Sequence, residues 1–256
     1  MDNKTFNKEG FFIKKSYLNK SEIEKIKFLF YDVASKYIKL EKFKNFDDPK
    51  LHKALIKFRK KNPKLFGEMY DNFNLNSQLR SIFLSKKFIN FFSKILNTSK
   101  NFIFINGFML RLDAPNDKRN SLKWHQDSPY YQMSYPKYNS GVCWVSLTNN
   151  DKKNGSLVFI PKSHVSGFHK VRSLKKSQHH SEQYKLEINN KNHLTHLCSK
   201  TGDAAIFHMN IKHKSGNNTS NKIRMVLGCR FHDMKEKFNS GKEIYYFNKT
   251  NKSYLF

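Results

Sequence analysis

The chain is poor in acidic side chains and in cysteine: 20 Asp and Glu stand against 48 Lys and Arg, and there are three Cys in 256 residues. The thiols, Cys143, Cys198 and Cys229, are odd in number, far apart and in no Cys-x-x-Cys pair. That excludes a disulfide framework or a structural zinc ribbon and points to a reducing compartment. A run of about eighteen apolar residues, the length a membrane span needs, is also missing. The opening Met1–Glu9 puts charges where a signal peptide needs its apolar stretch, so the expectation is a soluble cytoplasmic protein. Neither an internal repeat nor an interdomain linker is visible. What is present is 38% hydrophobic and 15% aromatic residues, enough to fill one sizeable core and too much for intrinsic disorder.

The formal charge is +28. Clustered Lys and Arg would release phosphate counterions and draw acidic partners. Here the lysines are scattered over almost the whole chain among an excess of Asn, Phe and Ile, the pattern of coding bias in an AT-rich genome. That reading is favoured over a nucleic-acid interface, with an anionic substrate or partner as the alternative.

Gly10–Leu18 reads as a short strand and turn, and Ser21-Glu22-Ile23-Glu24 as a capping box with Ser21 at the N-cap. Ile23, Ile26, Phe30, Val33, Tyr37 and Leu40 recur at helical steps and predict a helix to about Glu41. Further helical patterns cover Pro49 to Lys60, Pro63 to Phe73 and Leu79 to Leu96. From Phe102 the texture changes to short β-rich runs: Phe102 to Leu112, Val142 to Leu147, Leu157 to Ile160, Ala204 to Phe207, Ile223 to Phe231 and Ile244 to Phe247. Asn154-Gly155 reads as a hairpin turn, and the polar stretch Ser166 to Lys200 as a long loop or lid. Helices first and strands second predict one α+β domain: a mainly helical part over about 1–100, a β core over about 102–248, and a lid at about 166–200 within it.

The chemistry sits in Trp124-His125-Gln126-Asp127 and, far downstream, His213. Alternate residues on a strand share a face, so His125 and Asp127 can meet at one point that a distant His completes. Two imidazoles and one carboxylate on one face of an octahedral ion leave three adjacent positions open, as in non-haem Fe(II) oxygenases. Such an iron draws electrons from a 2-oxoacid whose far carboxylate needs a buried cation. Arg224, among Ile223, Met225, Val226 and Leu227, suits that task through its fork geometry, and Ser215 can add a hydroxyl. His208 competes for the distal position, but the register to Ser215 and Arg224 favours His213. His193-x-x-His196-x-Cys198 lacks a fourth zinc ligand and reads as polar loop. Cys143 and Cys229, in apolar strands, read as buried thiols.

At these residues the sequence resembles the phytanoyl-CoA dioxygenase family of Fe(II)/2-oxoglutarate oxygenases. The resemblance runs from about Gly10 to Asp233. It rests on the opening strand and helix, Trp124–Asp127, the run Asn154–His164, and His213-x-Ser215 followed by Asn218 and Arg224. It implies a double-stranded β-helix (jelly-roll or cupin-like) core with N-terminal helices packed outside. It implies His125, Asp127 and His213 as catalytic iron ligands, and Arg224 and Ser215 as contacts of the 2-oxoglutarate C5-carboxylate. Met109 and Trp144 would wall that pocket, although core packing explains them equally well. Tyr130 and Tyr131 fall where relatives place aromatics near substrate or 2-oxoglutarate, and Arg111 is a candidate for an acidic substrate against the plainer reading of a surface salt bridge. Lys162 departs from the family, whose members often have Gly in that turn.

The activity so implied is hydroxylation of a small-molecule metabolite, with O₂ consumed and 2-oxoglutarate decarboxylated to succinate and CO₂. The carboxylate of Asp127 argues against halogenation, since related halogenases leave that position to chloride. Two rivals stand beside this reading. One is a nucleic-acid demethylase of the AlkB type, suggested by charge and by the pair Arg224-x₅-Arg230. The other is a catalytically silent basic binding protein.

Overall fold

A computed structural model describes residues 2–117, 121–128, 139–167, 172–174, 183–185, 188 and 193–235. In chain order the elements are α1 (Asp2–Glu9), β1 (Phe11–Lys14), α2 (Lys20–Ala34), α3 (Pro49–Lys61), α4 (Pro63–Leu75), α5 (Ser77–Phe83), α6 (Lys86–Leu96), a 3₁₀ turn (Lys100–Phe102), β2 (Ile103–Asp113), β3 (Ser140–Ser146), β4 (Val158–Phe159), β5 (Arg172–Leu174), β6 (Gln183–Lys185), β7 (Thr195–His196), β8 (Ala204–His208), β9 (His213–Lys214) and β10 (Arg224–Asp233).

The helical half differs from the sequence pattern at its boundaries. The capping box exists, but two residues earlier: Asn19 Oδ1 accepts from the Glu22 N–H at 2.9 Å and Glu22 returns the bond to the Asn19 N–H at 2.8 Å. Asn caps as well as Ser, and Ser21 lies inside the first turn. Helix α2 ends at Ala34 rather than near Glu41. Leu40 is nonetheless buried, reached through a turn in which Tyr37 and Ile38 donate to the Ala34 carbonyl. Core contact continues past the helix, so periodicity overshoots its end. The single helix expected over Leu79 to Leu96 is two, α5 and α6. Ser85 takes extended backbone at the N-cap of α6, and the chain turns there. Helix α1 was not foreseen; its anchor is Phe6, fully buried against His208.

Strands β1, β8, β3, β10 and β2 form a five-stranded sheet in that order, and β7, β4 and β9 a three-stranded one. Side-chain alternation makes two cores. Cys143, Val145, Met225, Leu227, Cys229 and Phe231 point outward under the helices, where Phe92 stacks on Phe231 at 4.1 Å. Val142, Trp144, Ala205, Phe207 and Val226 point inward and meet Leu157 and Phe159 of the smaller sheet. Helices outside a two-sheet barrel make this an α+β fold with a double-stranded β-helix core. Cys143 and Cys229 are buried free thiols, paired directly across β3 and β10.

Asn154-Gly155 is not a hairpin turn. β3 belongs to the large sheet and β4 to the small one, so the turn carries the chain between sheets, with Asn154 bridging to Asn218. Within the expected lid, β5 pairs with β6, and β7 pairs with β4. The strand expected at Ile244 to Phe247 lies outside the described residues.

Lys162 has φ +63°, the left-handed region that glycine occupies without strain. Its ammonium is largely exposed and 3.8 Å from Glu9, so the charge contributes little. Lys162→Gly is expected to stabilise the fold by about 1 kcal/mol, read as a rise of roughly 2–4 °C in melting temperature. A lower melting temperature would show that the lysine side chain matters more than the backbone.

Candidate metal centre and adjoining cavity

His213 opens β9 and is flanked on both sides. Phe159 of β4 lies opposite it across one edge, and His125 bridges antiparallel to it across the other. The exchange His125 N–H to His213 O at 2.9 Å and His213 N–H to His125 O at 3.0 Å makes the two histidines direct cross-strand neighbours. Asp127, two residues on, is held by its N–H on the Met209 carbonyl at 2.9 Å. Gln126, between them, points the other way and donates to the Gly167 and Asn210 carbonyls at 2.8 and 2.6 Å. Alternation along this short extended stretch thus delivers one imidazole and one carboxylate to a common face.

The three side chains are buried, and one donor atom of each lies within 4.8 Å of the others. Asp127 Oδ1 is 3.4 Å from His125 Nε2 and 3.6 Å from His213 Nε2. Each histidine places Nδ1 against a backbone carbonyl, His125 on Lys123 at 2.7 Å and His213 on Ile211 at 3.0 Å. A carbonyl only accepts, so the proton sits on Nδ1 and the Nε2 lone pair faces the cluster, the form a metal needs. Burial and the neighbouring His125 push His213 down to about 3, so it is neutral at physiological pH. Burial opposes ionisation of Asp127, yet the Arg230 guanidinium beside it holds its carboxyl below the usual carboxylate range.

Arg224, Ser215 and Arg111 come together around a cavity of about 230 Å³ that Asp113, Asn154 and Asn218 also line. Asp113 is shared: Arg224 donates to its Oδ2 through Nε at 3.1 Å and through Nη2, while Arg111 Nη2 reaches Oδ1 at 3.2 Å. Arg111 is therefore inside the barrel, not in a surface salt bridge. Met109 and Trp144 lie in one cross-strand row with Gly228 between them, and a Cβ on Gly228 would meet the Trp144 ring at 3.0 Å. Both guanidiniums lie over the Trp144 ring, Arg111 at 5.1 Å and Arg224 at 5.6 Å, and among the described residues the buried Trp144 Nε1 has no hydrogen-bond partner. None of the three clustered residues lines this cavity; Trp144 packs on Phe207 and Phe207 on His213, with ring centroids 5.8 and 5.3 Å apart in turn. Ser215 Oγ accepts from the Leu122 N–H at 3.0 Å.

Asp113 was missed from the sequence, and Arg230 was noticed only as half of the arginine pair behind the demethylase rival. Both were within reach of strand alternation, because Asp113 shares the face of Met109 and Arg230 that of Arg224. Tyr130 and Tyr131 lie outside the described residues. His208 bonds the Asn210 N–H and packs on Phe6 and His164, away from the cluster. His196 meets Ser156 and Cys198 is exposed, and neither joins a metal-like cluster among the described residues. No helix in the described residues is long and apolar enough to cross a membrane.

Burial likewise pushes His208 and His232 down to about 3. With His213 they bind protons more readily unfolded than folded. Their contribution to stability is full above about pH 6.5 and is lost as pH falls toward 3. Metal-free protein should therefore melt at a clearly lower temperature at pH 5 than at pH 7, and His208→Asn should flatten that slope. An equal melting temperature at both pH values would contradict this.

Two facing sheets around a buried His, Asp and His cluster that could hold a metal ion define a double-stranded β-helix protein with a candidate metal centre. A model of the phytanoyl-CoA dioxygenase family matches residues 6–226, and the chain belongs to that family. Over 120 residues it is 29% identical to the peroxisomal phytanoyl-CoA dioxygenase of Bos taurus, a stretch that is 43% of this chain but 33% of the bovine protein. Among solved structures, EvdO2 from Micromonospora carbonacea var. aurantiaca complexed with 2-oxoglutarate superposes with a TM-score of 0.62 at 15% identity, over 91% of this chain and 89% of that one. The epimerase SnoN, in complex with Fe3+, alpha-ketoglutarate and nogalamycin RO, does so with a TM-score of 0.62 at 12% identity, over 90% and 82%. These structural likenesses establish the double-stranded β-helix.

Proposed function

We propose that this single-domain protein is an Fe(II)- and 2-oxoglutarate-dependent oxygenase that hydroxylates a small-molecule metabolite. The observation that carries the reading is the convergence of His125 Nε2, His213 Nε2 and Asp127 Oδ1 on one buried point inside a barrel of this family. Two imidazole nitrogens and one carboxylate oxygen suit Fe(II), and three ligands on one face leave sites for others. The second half of the site fits as well. The Arg224 fork and the Ser215 hydroxyl are donors lining one cavity, suited to a carboxylate, and the Trp144 ring lies against Arg224. EvdO2 and SnoN, of the same fold, carry such an oxoacid in their complexes.

When bound, Fe(II) and 2-oxoglutarate supply the oxidising chemistry, O₂ being consumed and the oxoacid leaving as succinate and CO₂. The protein's own residues do the rest. The Lys123 and Ile211 carbonyls hold both imidazoles in the ligating tautomer. Arg224 passes from Asp113 to the distal carboxylate of the oxoacid, and Arg111 keeps Asp113 paired during that exchange. Trp144 and Phe207 supply apolar surface beside His213. Met109 closes the same wall across Gly228.

The test needs no knowledge of the substrate. Anaerobic titration of purified protein with Fe(II) and 2-oxoglutarate should produce the visible absorption band of a chelated 2-oxoacid, and His213→Ala should lack it. A well-folded wild-type protein without that band would refute the oxygenase reading.

A further inference from the structure

Asp127 uses its two oxygens for different partners. Oδ1 faces both histidine nitrogens, whereas Oδ2 receives Arg230 Nε at 3.2 Å and Arg230 Nη2 at 3.1 Å. The third guanidinium nitrogen, Nη1, donates to the Gly107 carbonyl at 3.2 Å. That carbonyl is placed by an irregularity in β2. Between Gly228 and Arg230 the register slips so that Met109 to Asn106 opposes them with one extra residue, and Gly107 takes φ +57°. A bulge of this kind re-aims groups beside functional sites. Arg230 is thus gripped at both ends, by a bulge carbonyl and by a carboxylate oxygen, with both charged side chains almost fully buried.

We propose that Arg230 is a positioning residue that reserves Asp127 Oδ2 and makes Asp127 a one-oxygen metal ligand. The inference rests on the metal reading above and adds to it. A carboxylate can ligate through one oxygen or both. With both, Asp127 and two histidines would fill four of six octahedral positions and leave two, whereas a bidentate oxoacid and O₂ together need three. With two guanidinium N–H groups on Oδ2, Oδ1 alone is left to ligate.

Charge and positioning predict opposite signs. A buried cation beside a divalent metal repels it, so on charge alone removing Arg230 tightens metal binding. If Arg230 orients the ligand, removing it weakens binding, as loss of a ligand's supporting partner typically does by about 10- to 100-fold. The experiment is an anaerobic Co(II) titration of the full chain, read by its d–d absorption, on wild type, Asp127→Ala, Arg230→Met and Arg230→Lys. The expected results are tight binding in wild type, weakening of about 10- to 100-fold with an altered band in Arg230→Met, and partial recovery of both in Arg230→Lys. Should Arg230→Met fail to fold, Arg230→Gln, which keeps one donor, takes its place. Equal or tighter Co(II) binding with an unchanged band in the folded variants would overturn the role of Arg230 while leaving the metal centre standing. Absence of any Asp127-dependent Co(II) band in wild type would overturn both.

Discussion

Asp127→Ala is expected to abolish Fe(II)-dependent turnover of 2-oxoglutarate, with succinate formation down by more than about 10²-fold. Losing a supporting partner of a metal ligand already costs about 10- to 100-fold in affinity or activity, and Asp127 is the only carboxylate of the cluster. The substitution has a second effect that separates it from a simple loss of ligand. Arg230, whose side chain is 11% exposed, loses its contact with the Asp127 carboxylate. Breaking a buried pair by removing one member costs roughly 3–5 kcal/mol. The variant should therefore melt earlier than wild type in the absence of metal, and Asp127→Asn, which keeps an acceptor for Arg230, should melt closer to wild type while remaining equally inactive. Succinate production at the wild-type rate in folded Asp127→Ala would end the assignment of this cluster.

Arg224→Met should raise the dissociation constant for 2-oxoglutarate, read from the visible band, by about 10- to 100-fold. That range corresponds to the roughly 1.5–3 kcal/mol of a hydrogen bond to a charged group. Metal binding should be unchanged, because Arg224 meets Asp113 and the Trp144 ring, not the cluster. Arg224→Lys should fall between, since an ammonium keeps the charge but not the fork. The comparison is informative because Asp113 already engages Arg224. If that internal contact were the whole purpose of Arg224, its removal would change stability and leave the oxoacid affinity untouched.

The chemistry of this chain is more legible in its sequence than its boundaries are. His125, Asp127 and His213 can be read because strand alternation and residue type are local facts, and the structure brings them to one point. Cys143 and Cys229 were readable as buried thiols for the same reason. Arg111 is the instructive case. Its charge suggested the surface, but Met109, Arg111 and Asp113 alternate on one face of β2, and that face is the barrel interior. Asn154-Gly155 has the composition of a hairpin turn, but whether its flanking strands pair depends on which sheet each joins, a long-range matter. The bulge at Gly107 was invisible because only its partner strand defines the register that it breaks.

The stacking around Trp144 gives the protein a built-in optical gauge. Of its two tryptophans, Trp124 lies under Lys214 Nζ at 5.1 Å and Trp144 beneath two guanidiniums. An indole's emission follows the charge and polarity beside it, so any molecule that draws Arg224 off the Trp144 ring, or accepts a bond from its Nε1, alters fluorescence without a label. With Trp124→Phe as background, Trp144 becomes the sole indole emitter, and a library of metabolites can be screened for cavity occupancy before any turnover is known.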